Sequence, residues 1–328
     1  MTRAAFTSSC GDPFILMLCM KMFRERFYDE VDRYYINVNN HSGVPKEVMG
    51  ELLSRLSQDP KVHIIYHPRG IGNGPPITEM TLVSKEDLIV LIEDDFFIFT
   101  PGVVSKHFQT IESDLTDALG SPRGSCGEEI TSASAKRYGI DLTGYGDVGV
   151  NFWPSGFFCK RKDLLRTDLD FGSHTWAAGE YSKELDHTFK DINHGDTFVW
   201  ACVQLRHLGL RFHNIPQYHF SPTEPSDQRM GAGNYWGGKS PYWVHGGSLS
   251  SGWSGYLSGQ TPSVVTDGEK YEIESRVAFW QIALETTEGF NAFRIEYKNG
   301  IDGLIERANL DFGRIQSKYN LAMNMMKL

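Results

Sequence analysis

The sequence predicts an α/β protein, with a mixed, mainly parallel sheet, helices on both faces and a helical extension at the carboxyl terminus. Three observations predict it. Strand-length apolar runs alternate with helical stretches through residue 95. One run, Leu88 to Ile92, is apolar throughout, as a strand covered on both faces must be. That run ends in three adjacent carboxylates, Glu93, Asp94 and Asp95.

Ala4 to Ser8 reads as the first strand. Asp12 is placed to cap a helix with Pro13 at its first position, and the helical pattern runs to about Asp32. Tyr34 to Asn39 reads as a second strand, Pro45 to Leu56 as a helix and Val62 to Tyr66 as a third strand. The glycine-rich loop Gly70 to Pro76 leads to a helix around Thr78 to Ser84 and then to the acid-ended strand. In such sheets ligands sit beyond the carboxyl ends of the strands, so the loops after Ser8, Asn39 and Tyr66 and the acid cluster are expected to line one crevice. Farther on, Val148 to Trp153, Phe157-Phe158 and Arg211 to Tyr218 read as strands and Asp196 to Leu208 as an amphipathic helix. A Gly/Ser/aromatic region covers about 231 to 259, and helical segments cover about 269 to 288 and 303 to 326. The expected organisation is a first half over 1–105 and a second over 106–262 of one domain, then an extension over 263–328.

At 328 residues and 40% hydrophobic the chain can bury a large core, and its net charge of −9 argues against broad polyanion binding. One basic cluster, Lys160-Arg161-Lys162 with Arg166, could hold an anion or simply solvate a helix start. Five scattered cysteines without a CxxC disfavour both a disulfide framework and a zinc site, which fits a cytoplasmic protein. The apolar run Phe14 to Met20 is too short to span a membrane, so no stable membrane insertion is expected.

Three carboxylates at the end of a buried strand repel one another unless a cation or solvent lies between them. Strand alternation puts Glu93 and Asp95 on one face and Asp94 on the other, so the i, i+2 pair can converge on one ion. Oxygen ligands favour Mn²⁺ or Mg²⁺ over Zn²⁺. The alternative is a solvated strand end whose acids cap the next element.

The order of these pieces resembles the GT-A glycosyltransferases of the family 2 type. The pieces are Gly72-Asn73-Gly74, the strand Leu88 to Ile92, Glu93-Asp94-Asp95, and Phe96 to Pro101. Downstream come Ser155-Gly156-Phe157-Phe158 before the basic helix start, and Gly195-Asp196-Thr197-Phe198 opening a helix that ends before Gly209. Where the family shows an acidic pair, this chain keeps one acid. The resemblance covers roughly residues 4 to 250.

It implies a metal-dependent transferase that moves a sugar from a UDP-sugar donor to an acceptor hydroxyl. By the resemblance Asp95 and Glu93 bind the metal, Glu93 and Asp94 meet the ribose or the metal's water shell, and Ser8, Ser9 and Asn39 contact the nucleoside. Gly72 and Asn73 flank the base or ribose. Asp196 would be the general base of an inverting reaction, with helix capping as the competing account and Glu180, Asp186 and Asp191 as substitutes. A histidine completing the metal shell would be His245, followed by Gly246-Gly247-Ser248 suited to a diphosphate, or else His219. Trp236, Tyr242, Trp243, Trp253 and Tyr256 could stack sugars or bases, or anchor their loop. The acceptor stays open among glycan, protein and small molecule. A soluble GT-A chain also resembles the transferases that glycosylate hydroxymethylated pyrimidines in viral DNA, which would place the protein in a host cytoplasm.

A dinucleotide-binding oxidoreductase is the first rival. It fits poorly, because Pro75 replaces the third glycine of GxGxxG and no helix is expected to start directly after the turn. A metal-dependent phosphatase or nucleotidyltransferase could use the same carboxylates. A nonenzymatic protein that binds nucleotide-sugar is the third class.

Overall fold

The computed structural model describes residues 1–9, 11, 13–40, 44–94, 96–98, 100–120, 126–142 and 151–215, residue 306, and the backbone of 217–219, 235–237 and 243–245. Apart from residue 306, which is helical, the two expected terminal helices lie outside the described residues, as do Asp12, Asp95, Gly246, Tyr242, Trp253 and Tyr256.

The chain opens β1 (Arg3–Ser9), α1 (Pro13–Met22), β2 (Arg33–Asn39), α2 (Lys46–Leu56), β3 (Val62–His67), α3 (Gly74–Val83) and β4 (Leu88–Glu93). It continues through β5 (Phe96–Ile98), α4 (Val103–Glu112), β6 (Ala118–Gly120), α5 (Glu128–Tyr138), β7 (Phe157–Lys160) and α6 (Arg161–Leu164). Short strands β8 (His174–Trp176), β9 (Tyr181–Ser182), β10 (His187–Thr188) and β11 (Asn193–Gly195) precede α7 (Val199–His207). Four more follow: β12 (Phe212–Asn214), β13 (Gln217–His219), β14 (Tyr235–Gly237) and β15 (Trp243–His245).

Seven strands form the main sheet in the order β12-β6-β7-β4-β1-β2-β3. All run the same way except β7, which is antiparallel to both β4 and β6. This is the mixed, mainly parallel, Rossmann-like sheet of the expected GT-A class. One face is closed by α1, α2 and α4, which bring Leu16, Leu52 and Phe108 against Ala5, Ile36 and Val90. The other is closed by α3, α6 and α7, which bring Met80, Leu164 and Cys202 against Phe6, Leu91 and Phe157. A smaller core, with Trp176, Phe189 and Val203, joins α5 and α7 to the β8–β11 segment. No helix of the described residues is long and apolar enough to cross a membrane, and Cys19, Cys126, Cys159 and Cys202 are free thiols.

Three helices differ from expectation. The first stops at Met22 and passes into a π-helical turn, Phe23–Phe27, and a 3₁₀ turn, Tyr28–Glu30. The wider turn lets Phe23 and Phe27 both pack on Tyr34, with centroids 4.5 and 5.9 Å away. α3 begins four residues early, at Gly74. Its first turn tolerates Pro75 and Pro76 because those positions need no N–H, and a Cβ at Gly74 would lie 2.3 Å from the Gly172 nitrogen. A helix therefore does start directly after the glycine turn, which corrects one of the two objections to a dinucleotide site. The Pro75 objection stands. α7 begins late, at Val199, because Phe198 before it adopts a left-handed φ of 73°.

Candidate active site

After β1 the chain builds β2 and β3 to one side; after β3 it returns through α3 to place β4 on the other side of β1. The carboxyl ends of β1 and β4 therefore flank a topological switch point, where open α/β sheets bind ligands. Ser8 pairs in register with Glu93 on one side and with Asn37 on the other. All three lie on the α3 face, because alternation places Phe6, Leu91 and Tyr35 of the same strands in that core. One step farther out, Asn39 stands opposite His67.

This row is polar at a depth where the rest of the sheet is apolar. Asn37 is fully buried; its Nδ2 donates to Glu79 Oε2 at 2.7 Å, which leaves its Oδ1 as the remaining acceptor, without a hydrogen-bond partner. His67 Nε2 donates to the same carboxylate oxygen at 2.7 Å. Asn39, also buried, has a second partnerless Oδ1. Each such buried acceptor costs about 1–3 kcal/mol, which a ligand bearing donors would recover. Neither Asn37 nor the Glu79–His67 pair stood out in the sequence. An Asn at an inward-facing position of an otherwise apolar strand was the available signal.

Glu93 is half-buried and its Oε2 accepts a hydrogen bond from Ser155 Oγ. Ser155 is held in turn by its neighbour, since the Gly156 N–H donates to the Leu91 carbonyl at 2.8 Å. Asp94 turns to the opposite side, buried, with its carbonyl accepting from Cys19 Sγ of α1 at 3.3 Å. Ser9 also alternates to that side, where Oγ accepts the Gly11 N–H. Gly72, at φ 82°, and Asn73 are exposed at the rim, and Asn73 makes no side-chain cap to α3.

Asp196 reaches the same end of the sheet along a different route. Two residues after it, Phe198 is buried against Phe157 (4.9 Å between centroids) and Phe171 (5.7 Å), and Phe157 pairs with Leu91 of β4. The left-handed Phe198 is a genuine backbone outlier for a bulky residue, and it sets Asp196 outside the helix. The N-cap position of α7 is taken by Phe198, which makes no side-chain cap, so Asp196 stands two residues ahead of that position. The Asp196 Oδ1 accepts the adjacent Thr197 N–H at 2.7 Å, its carbonyl accepts the Val199 N–H at 3.1 Å, and the side chain is half-buried. Glu180, Asp186 and Asp191 instead serve the hairpin: Glu180 accepts the Ala177 N–H, Asp186 accepts the Tyr181 hydroxyl, and the Asp191 carbonyl accepts from Asn193.

β15 pairs antiparallel with β5 and sets the backbone of His245 opposite Phe96, three residues beyond Glu93. His219 pairs with Tyr235, which pairs with His245, so His219 lies two strands farther from β5. Among the described residues no group of three or more His, Cys, Asp or Glu could hold a metal; Asp95 and the His245 side chain fall outside that set. Of the three expected metal ligands only the Glu93 side chain is described, and carboxylate oxygen is the ligand type that Mn²⁺ or Mg²⁺ takes.

The basic cluster is elsewhere. β7 runs backwards, so Lys160 pairs with Leu88 at the amino end of β4, five residues along the strand from Glu93. There Lys160 meets Asp114, Arg161 donates to the Thr81 and Leu82 carbonyls, and Arg166 pairs with Asp163.

No protein-family model and no curated protein matches the chain. Among solved structures it is similar to a mannosyltransferase, PcManGT from Pyrobaculum calidifontis, in complex with GDP-Man and Mn²⁺. The identity is 9% and the TM-score 0.42, over 65% of this chain and 54% of that one. TarS 1–349 from S. aureus matches at 9% identity and a TM-score of 0.42, over 96% and 89% of the two chains. Its complex with UDP-GlcNAc matches at 10% and 0.36, over 52% and 48%. The match thus spans about half the length of the mannosyltransferase and of the TarS complex. At these identities and scores the likeness assigns no role to this chain.

Proposed function

We propose that this chain is a cytoplasmic, metal-dependent glycosyltransferase that moves a sugar from a UDP-sugar to an acceptor hydroxyl with inversion. The observation that carries the reading is the switch-point row of Glu93, Ser8 and Asn37, with Asp196 delivered to the same end of the sheet. Ser8, Asn37 and Asn39 offer hydrogen-bonding groups to the nucleoside, Gly72 and Asn73 border it, and Asp94 backs the acid turn from the α1 side. Glu93, with Asp95 and His245, would hold the metal, which supplies Lewis-acid charge neutralisation to a departing diphosphate. Ser155 fixes the Glu93 carboxylate. Asp196 takes the acceptor hydroxyl proton as that oxygen attacks the anomeric carbon and the bond to UDP breaks.

Two sequence features favoured DNA carrying a hydroxymethylated base, the Lys160 cluster and the aromatic loop. The first stands at the far end of the sheet, where Lys160 pairs with Asp114 and Arg161 bonds to carbonyls, and so lends that acceptor no support. The acceptor stays open among DNA, glycan, protein and small molecule.

Calorimetric titration of UDP with and without Mn²⁺, on the intact protein and on Asp95→Ala, tests the donor site. Binding that needs both metal and Asp95 is the expected result. Metal-independent binding, or release of phosphate or pyrophosphate in place of UDP from a nucleotide-sugar, would put a phosphatase or nucleotidyltransferase in its place. Tight binding without any release would favour a nonenzymatic nucleotide-sugar-binding protein.

A further inference from the structure

Asp196 sits on a segment with little regular structure of its own. What fixes it is a set of bonds from the start of α5. Glu129, in the first turn of that helix, has both carboxylate oxygens occupied: Oε1 accepts from His187 Nε2 at 2.8 Å and from the Lys190 N–H at 3.0 Å, and Oε2 accepts from Asn193 Nδ2 at 2.7 Å. The donors come from β10, from the turn after it and from β11, so one side chain gathers the whole approach to Gly195. The backbone repeats the attachment. The Gly127 N–H donates to the His194 carbonyl at 3.1 Å, and Cys126 bridges to Gly195.

The fit beside Glu129 is close. A Cβ on Gly127 would lie 2.3 Å from Asn193 Oδ1, and one on Gly195 would lie 2.8 Å from Val199 Cγ1. Asn193 is buried, and its Nδ2 also donates to the Asp191 carbonyl at 3.1 Å, so its amide has a fixed orientation. Donation from Lys190, His187 and Asn193 pulls the Glu129 carboxyl down to about 2, so it stays an ionised, three-donor acceptor throughout the neutral range. Beyond Gly195 the chain reaches Asp196 and then turns at Phe198, whose N–H donates to the Phe171 carbonyl at 3.0 Å. Asp196 is thus strung between two fixed points, the Glu129 cluster before it and the left-handed Phe198 after it.

We infer that Glu129 is a positioning residue for Asp196, acting through Asn193 and β11 to hold the base carboxylate toward the acceptor. The inference rests on the assignment of Asp196 as base. Small displacements of a reacting group cost rate out of proportion to their size, and Glu129 touches neither the switch-point row nor any group assigned to the donor.

The test compares the wild type with Glu129→Gln, Asn193→Asp, the double variant and Asp196→Asn, following UDP release from UDP-sugars, UDP·Mn²⁺ affinity and hydrogen exchange of residues 193–199. Glu129→Gln sets an amide nitrogen against Asn193 Nδ2, donor against donor. The double variant restores the 129–193 bond with its polarity reversed but gives up the bond from residue 193 to the Asp191 carbonyl. Expected are a ten- to hundredfold loss of kcat in Glu129→Gln with donor KM and UDP affinity within about twofold, faster exchange at 193–199, and recovery of kcat to within about threefold in the double variant. A full kcat in Glu129→Gln, or unchanged exchange at 193–199, overturns the inference, as does a kcat loss matched by an equal loss of UDP affinity. If Asp196→Asn turns over at the wild-type rate, the base assignment falls and the inference with it. If Asp196→Asn is inactive while Glu129→Gln is not, the inference alone falls.

Discussion

The two ends of the main sheet solve the same problem in opposite ways. At the amino end nearly every charge is answered. Arg3 pairs with Glu112 at 2.8 Å, Asp87 accepts from the Thr2 N–H and hydroxyl, Asp32 accepts the Arg3 N–H, and Arg211 grips Asp117 and Asp114. At the carboxyl end, buried Asn37 and Asn39 carry acceptors without partners, Glu93 stands at a half-open edge, and Phe198 keeps a left-handed backbone. Satisfied polar groups stabilise a scaffold. Unsatisfied and strained ones persist where a ligand completes them. The proposed function takes the amino end as scaffold and the carboxyl end as the site, with buried Thr81 Oγ1 a partnerless atom at the amino end, and each variant below is a way to break that division or sharpen it.

The largest expected effect is Asp196→Asn. The amide keeps the shape but cannot take a proton, so kcat falls about 10²- to 10⁴-fold while UDP affinity stays within about twofold. Activity assays against a panel of UDP-sugars check it. A loss of UDP binding of similar size would show that Asp196 belongs to the donor pocket.

Next comes a pH effect that belongs to the scaffold. His107 of α4 is buried, donates from Nδ1 to the Val103 carbonyl at 2.6 Å and lies on the Phe158 ring, 5.0 Å between centroids. Burial pushes its pKa down to about 4, against 6.5 for the free side chain. The unfolded chain therefore binds the extra proton between pH 6.5 and 4, so this stability is fully present above 6.5 and is lost as pH falls toward 4. The loss is about 3 kcal/mol at most. Urea midpoints between pH 4 and 7 should fall with acid in the wild type and flatten in His107→Gln.

Ser155→Ala removes the hydroxyl that holds Glu93 and should weaken Mn²⁺-dependent UDP binding about tenfold, with little change in the melting temperature. Asn37→Leu divides the two roles more directly. It removes the unsatisfied Oδ1 but also the Nδ2 bond to Glu79, so the two effects on stability oppose each other and the net change should stay within about 1–2 kcal/mol while UDP affinity falls. A larger fall in stability would mean that Asn37 serves the scaffold.

Much of the scaffold was legible because burial on both faces writes itself into a sequence. Leu88 to Ile92 could be little other than a central strand, and the alternation that separates Glu93 from Asp94 follows from the pleat alone. β1 to β4 and β7 were found within a residue or two; β6 was not expected, the run expected over Val148 to Trp153 is no named strand where it is described, and the last divides into β12 and β13. Helix limits were less legible where tertiary packing sets them: Tyr34 draws two phenylalanines through a π-helical turn, and Gly172 receives the start of α3. The site was only partly legible for a related reason. Its acids sit in one short motif, but Asn37, Glu79, His67, Ser155 and Glu129 act through partners far away in sequence, 62 positions in the case of Ser155 and Glu93. Local spacing carries no record of such pairs. The Lys160 cluster shows the converse, a motif dense in charge whose place at the amino end of β4 depends on β7 running against its neighbours, which local spacing does not record.

The smallest effect tests the amino end itself. Arg3 opens β1, bonds Glu112 through Nη2 at 2.8 Å and Nε at 3.4 Å, donates to Ser105 Oγ at 3.1 Å, and lies over the Phe108 ring at 5.5 Å. Arg3→Met keeps an apolar stem on Phe108 and removes the charge with its bonds to Glu112 and Ser105. Because the pair is partly solvated, water takes over most of what is lost, and unfolding free energy should drop by about 1 kcal/mol or less. UDP affinity should not move, since Ser8 lies five residues along the same strand and its register is set by β2 and β4. Denaturation and calorimetry on one preparation give both numbers. A change in UDP affinity larger than the stability change would show that the amino-end charges reach the crevice through β1, and would end the division between the two ends.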